Sequence, residues 1–254
     1  MHSLLLQDLK RSFWNKGFAI GMLFAFALLF PPVFLDSNLS GNRSYLNTLG
    51  NAFHGSAFPQ LAALFPSLAY AARFCEEYHS GYLGMIMTRT GHKNFAKVRI
   101  CTVALSGGVM LAVPIGVVCI IAYATGIHGV PSGYDEGVLS GSFILYYIEV
   151  YGDWFVLVGK TICGFLGGAL WGLAGLAFAV WIRNRYVAIL APFILYDSLW
   201  MLLGYTPFNP LHLFVGDDIM HGKYHVAAGI EIVYIVIIIV FIVRGMGRAV
   251  HGET

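Results

Sequence analysis

The chain has 254 residues, 58% of them hydrophobic and 11% charged. That excludes an ordinary soluble domain, in which about a quarter of residues are charged. The net charge of +2 gives no ground for a nucleic-acid partner, because the basic residues follow a topological pattern instead.

In chain order, residues 1–16 come first. Leu5, Leu6, Leu9 and Phe13 recur at helical spacing, while Gln7, Lys10, Arg11 and Asn15 occupy the rest of the turn. This pattern predicts a helix lying in a membrane interface, with Trp14 at headgroup level. Six apolar stretches follow: Gly17–Leu35, Phe58–Phe74, Ile100–Ala124, Phe155–Ile182, Tyr186–Gly204 and Val226–Val243. Crossing ~30 Å of hydrocarbon takes ~20 apolar residues, and all but the short second stretch approach that length. Backbone groups cannot stay unpaired in lipid, so the stretches are predicted to be helices. A barrel would instead show ~10-residue alternating segments.

Twelve of the fifteen Lys and Arg residues fall on one side of these spans. Lys10, Arg11 and Lys16 precede the first, and Arg73, Arg89, Lys93, Lys97 and Arg99 lie between the second and third. Arg183 and Arg185 separate the fourth and fifth, and Arg244 and Arg248 follow the sixth. Arg43 and Lys223 lie opposite, with Lys160 just inside the fourth span, where its stem could snorkel outward. The positive-inside rule then places both termini in the cytoplasm of a multi-pass cell-membrane protein. The connection between spans three and four carries Asp135, Glu136, Glu149 and Asp153, as an outward loop can. The first apolar run is long and lacks a small-residue cleavage site, so no cleavable signal peptide is expected.

The richest segment is cytoplasmic, residues 75–99. It opens with Glu76 and Glu77, continues through Gly81, Tyr82, Leu83, Met85, Ile86 and Met87, and closes on Arg89, Lys93, Lys97 and Arg99. A loop that only reconnects two spans needs neither this length nor apolar side chains. Apolar residues rimmed by charge point to a docking surface. The run from Glu76 through Tyr82 to Arg89-Thr90 resembles the coupling segment of ABC-2-type transporter permeases. In that family an E-x-x-x-G stretch, matched here by Glu77 and Gly81, leads into a small helix that contacts a cytoplasmic ATPase. The amphipathic N-terminal helix, six spans, inward termini and a partly apolar outer segment (residues 205–225) fit the same family. The resemblance implies that Glu76, Glu77, Gly81, Tyr82, Met85, Ile86 and Arg89 contact the ATPase. It also implies a second permease copy, or a related permease, beside this one, and ATP and Mg held by the ATPase. The chain itself is expected to bind no cofactor and to be no enzyme. A P-loop is ruled out, because the only trace, Gly159-Lys160-Thr161, has Trp154 where the first glycine belongs.

Within the spans, Gly164, Gly168 and Gly172 recur every four residues, a ridge that lets another helix approach closely. Two carboxylates lie at membrane depth. Asp197 is about 16 Å and Glu231 about 18 Å from the cytoplasmic edge at 1.5 Å per residue. Ionisable groups in lipid usually face a cavity or a partner. Asp197 and Glu231 are therefore candidates for a translocation pathway, with a structural role as the plainer alternative. The four cysteines are scattered, and a Cys119–Cys163 disulfide is weighed against simple apolar filling. No protease, hydrolase or metal motif is present, and the dispersed histidines give no metal signature. The expected protein is a permease domain spanning residues 1–254 that exports an amphipathic or apolar substrate: a peptide, lipid or drug-like molecule. A non-transporting membrane interaction subunit and an intramembrane enzyme are the alternatives.

Overall fold

The computed structural model describes residues 2–39, 45–71, 73–126, 144–215 and 224–251. Arg43, Asp135, Glu136, Lys223 and the 216–223 part of the outer segment lie outside them. Every element among the described residues is a helix. In order these are α1 (His2–Phe13), α2 (Lys16–Leu39), α3 (Tyr45–His54), α4 (Phe58–Leu61), α5 (Leu64–Tyr70), α6 (Arg73–His79) and α7 (Tyr82–Thr90). They are followed by α8 (His92–Thr125), α9 (Ile144–Tyr151), α10 (Asp153–Ile182), α11 (Arg185–Leu203), α12 (Pro210–Val215) and α13 (Tyr224–His251).

Four of them, α8, α10, α11 and α13, are long and apolar enough to cross a membrane. The pair α1–α2, bent by 50°, makes a fifth if counted as one span. These long apolar helices are consistent with a membrane protein. The stretch Phe58–Phe74 differs from expectation: it is divided among α4, α5 and α6, with no single helix of span length. Proline explains one break. Pro66 has no N–H to donate to the Ala62 carbonyl, and its ring crowds that carbonyl, which favours a break at residues 62–63.

The core is the antiparallel pair α8 and α10, joined along the glycine ridge. Gly168 meets Gly107 so closely that a Cβ on either would collide with the other's carbonyl oxygen. One turn away in each direction, Gly164 faces the Ile115 side chain and a Cβ on Gly172 would lie 3.3 Å from the Val103 carbonyl oxygen. The ridge thus packs within the chain. Helices α1, α2, α3 and α5 cover α8, while α11, α12 and α13 lie against α10. The apolar window of α10 is 67% buried, whereas those of α11 and α13 are 17% buried each. Exposed Leu190, Ile194, Met201, Ile232, Val233 and Val236 give these two outer helices an apolar surface of the kind that faces lipid. Cys119 and Cys163 are buried in the apolar interior, and no disulfide forms among the described residues.

Candidate functional site

The segment singled out by sequence is two helices and the start of a third. Helix α6 ends at His79, and Gly81, at φ +72°, turns the chain into α7. Gly91, at φ +76°, turns it again into α8. An L-residue with a side chain strains at such φ values, which is why glycine punctuates the segment at these two points. Helix α7 is amphipathic at three- and four-residue spacing. Leu83 is buried, and Ile86 and Met87 pack against the main core. Tyr82, Met85 (63% exposed) and Arg89 face outward. The basic residues Lys93 and Lys97, expected in a loop, stand exposed on the first turns of α8, which begins eight residues before the predicted span.

Beneath α7 lies a buried polar knot. Arg99, only 1% exposed, reaches from α8 to ion-pair with Glu77 of α6, and its other terminal nitrogen lies 3.5 Å from Asp8 Oδ2 on α1. Its guanidinium sits between two rings, 4.8 Å from the Tyr70 centroid and 5.1 Å from that of Phe95. Tyr70 donates its hydroxyl hydrogen to Asp8 Oδ1 at 2.9 Å. Arg73 adds a longer i,i+4 pair to Glu77 at 4.0 Å. One buried cation, Arg99, thus faces two carboxylates. Buried charge is tolerated only when paired in this way, and removing one member strands the others. Burial pushes the Glu77 carboxyl above its ordinary range, against the opposing pull of Arg99.

The residues on either side of Glu77, Glu76 and Tyr78, take their own arginines. Glu76 pairs with Arg185 at 3.3 Å across the surface. Arg183 donates to the Tyr78 hydroxyl at 2.6 Å and stacks on its ring at 4.5 Å. Arg183 holds φ +56°, the left-handed cap that ends α10. Helix α6 is therefore tied to α8 and to the α10–α11 turn by three consecutive side chains, and to α1 through Arg99.

This placement divides the predicted contact residues. Tyr82, Met85 and Arg89 are outward and Ile86 is half-buried, while Gly81 shapes the turn. Glu76 is exposed but already paired. Glu77, 6% exposed, is turned inward, so it anchors the segment and presents no surface to a partner. Arg11 of α1 lies beside the side chain of Tyr82, which raises the guanidinium's affinity for its proton. Sequence reasoning missed Asp8, Tyr70 and Arg99. Arg99 reads as one more inward surface charge, and Asp8 as a polar residue on the wet face of α1. In fact Asp8 and Ser12 are the buried positions among residues 4–13 of α1, and Leu6 is exposed. The one available signal was an acid four residues before Ser12 on a helix whose other charges are all basic.

The membrane-depth candidates are not brought together. Asp197 is on α11 and Glu231 on α13, and no hydrogen bond or ion pair joins them among the described residues. Glu231 is 1% exposed and pressed into a niche on α10. A Cβ on Gly167 would lie 3.2 Å from its Oε1, and Oε2 has no hydrogen-bond partner among the described residues. Lys160 does not snorkel. It is 4% exposed, with Nζ 3.5 Å from the Val215 carbonyl oxygen and 4.7 Å from the Phe53 ring centroid. No group of histidine, cysteine and carboxylate side chains able to hold a metal occurs among the described residues. No family model matches the chain, and neither does a curated protein or a solved structure.

Proposed function

We propose that the chain is the membrane-spanning subunit of an ATP-driven ABC exporter, with both termini in the cytoplasm and α6–α7 as its coupling segment. The observation that carries this reading is the pairing of an exposed, rigidly hinged short helix with a buried anchor. Helix α7 presents Tyr82, Met85 and Arg89, and Glu77 behind it is locked to Arg99, which also faces Asp8. A force applied to α7 passes through α6 into α1, α8 and the α10–α11 turn. A coupling device needs such a stiff link between a partner's groove and elements with two packings.

On this reading a separate cytoplasmic ATPase holds ATP and Mg, and closure of two such subunits tilts the spans of two permease copies. Residues 58–74 then act as the sixth crossing, a broken one built from α4, α5 and the first residues of α6. Irregular backbone is tolerated at membrane depth when it is buried in protein, and Phe58, Phe65, Tyr70 and Phe74 are buried. The substrate class of this reading is amphipathic or apolar. Asp197 and Glu231 stand as separate positions along the spans, to be tested one at a time by Asp197→Asn and Glu231→Gln.

Co-purification of the tagged chain from its host tests the reading. A stoichiometric ATPase, lost on Met85→Asp with folding unchanged, is the expected result. A chain that emerges alone moves the non-transporting subunit forward.

A further inference from the structure

A cleft of about 380 Å³ opens at the end of the bundle that carries most of the basic residues, between the α1–α2 bend, α5–α6 and the start of α11. Its rim is cationic: Lys16, Arg73 and Arg185 line it with one acid, Glu76. Glu76 is already paired with Arg185. Arg73 has only a 4.0 Å pair to Glu77, a carboxylate that Arg99 already holds. Lys16 is exposed and has no hydrogen bond or ion pair among the described residues. The rim therefore carries two positive charges in excess. Its wall is apolar: Ile20, Leu68 and Ile189 line the same cleft. Ile20 is four residues beyond Lys16 and Ile189 four beyond Arg185, about 6 Å deeper along α2 and α11 at 1.5 Å per residue. Leu68 is five residues before Arg73 on the chain coming the other way.

We infer that this cleft is a binding site for an anionic phospholipid, with the phosphodiester headgroup between Lys16 and Arg73 and an acyl chain along Ile20, Leu68 and Ile189. A soluble anion would need the charged rim alone. A zwitterionic lipid would need no excess of cations. Only a lipid with net negative charge uses both the charged rim and the apolar wall one turn below it. Basic pockets between spans on the cytoplasmic side suit such headgroups. The inference requires that the chain lies in a membrane with this end inward, and it is independent of whether an ATPase docks on α7.

The test is native mass spectrometry of the full chain after exchange in mixed micelles of phosphatidylglycerol and phosphatidylcholine. Preferential retention of phosphatidylglycerol is expected, falling about fivefold for each rim cation removed, in Lys16→Gln and again in Lys16→Gln/Arg73→Gln. A matched pair on the same end, Lys93→Gln/Lys97→Gln, should leave it unchanged. Lys16→Gln touches no internal contact, so it remains informative if the double variant fails to fold. Equal retention of the two lipids would overturn the inference, as would an equal loss in the Lys93/Lys97 pair. Displacement of the lipid by soluble glycerol phosphate at similar concentration would also overturn it, because the apolar wall would then contribute nothing.

Discussion

Two regions fix α8 in place by opposite physics. In the middle of the bundle, Gly107 and Gly168 let α8 and α10 meet backbone to backbone, with no charge involved. At the basic end, Arg99 holds the same helix to α6 and α1 through a desolvated ion cluster. The glycine seam works by fit: dispersion contacts are lost at once if a methyl is inserted, and they are indifferent to pH and salt. The arginine knot works by compensation, one cation against two carboxylates, and it responds to any change in protonation. A seam of the first kind makes a static spine. A knot of the second kind, placed under a hinged surface helix, makes a joint that can be loaded.

Substitutions can break this contrast. The largest effect is expected from Arg99→Leu, which strands Glu77 and Asp8 in a buried site and should cost about 3–5 kcal/mol, read as a fall in the thermal midpoint in detergent. If Arg99→Leu proves neutral, the knot is not a structural anchor. Next is Gly168→Ala, where the new methyl meets the Gly107 carbonyl. A loss of about 1–3 kcal/mol is expected, unchanged between low and high salt. A salt-dependent loss would contradict a purely steric seam. Smaller again is Arg183→Ala, which forfeits the hydrogen bond to Tyr78, about 0.5–1.5 kcal/mol. Arg183→Gly should cost less than Arg183→Ala, since glycine relieves the left-handed backbone at that position.

The subtlest difference is in pH. Because burial raises the Glu77 carboxyl in the folded chain, the folded state holds that proton more tightly than the unfolded state does. The stabilisation this gives is complete below the ordinary carboxyl range and is lost as pH rises through the raised value. Thermal midpoints of the wild type relative to Glu77→Gln should therefore decline with increasing pH across mildly acidic conditions. A rise over the same interval would mean that Arg99 outweighs burial. Gly168→Ala should shift every midpoint by the same amount.

The contrast also explains what could be read from the chain. The glycine ridge is legible because its four-residue spacing appears in sequence and demands a close neighbour, although only the fold names Gly107 as that neighbour. The long apolar helices are legible for the same local reason. The knot is not, since its members lie at positions 8, 70, 77 and 99, and pairing across such separations leaves no periodic trace. Arg99 is one basic residue in a basic segment, and nothing local distinguishes a buried arginine from the exposed Lys93 and Lys97. The broken Phe58–Phe74 stretch is half visible in Pro66. Hydropathy alone reads it as a span, because composition is blind to missing donors. In residues 75–99, the turn glycines and the outward Tyr82, Met85 and Arg89 follow from helical spacing. The inward turn of Glu77 depended on a partner 22 residues away.

The most direct measurement is affinity purification of the full chain from its own host in mild detergent, wild type beside Met85→Asp/Arg89→Glu. Both substitutions lie on the outer face of α7, away from the knot, so the fold and thermal midpoint should be retained. A cytoplasmic ATPase recovered in stoichiometric amount with the wild type and lost from the variant is the expected outcome. No ATPase with either chain, or one that ignores both substitutions, would contradict α7 as the coupling surface.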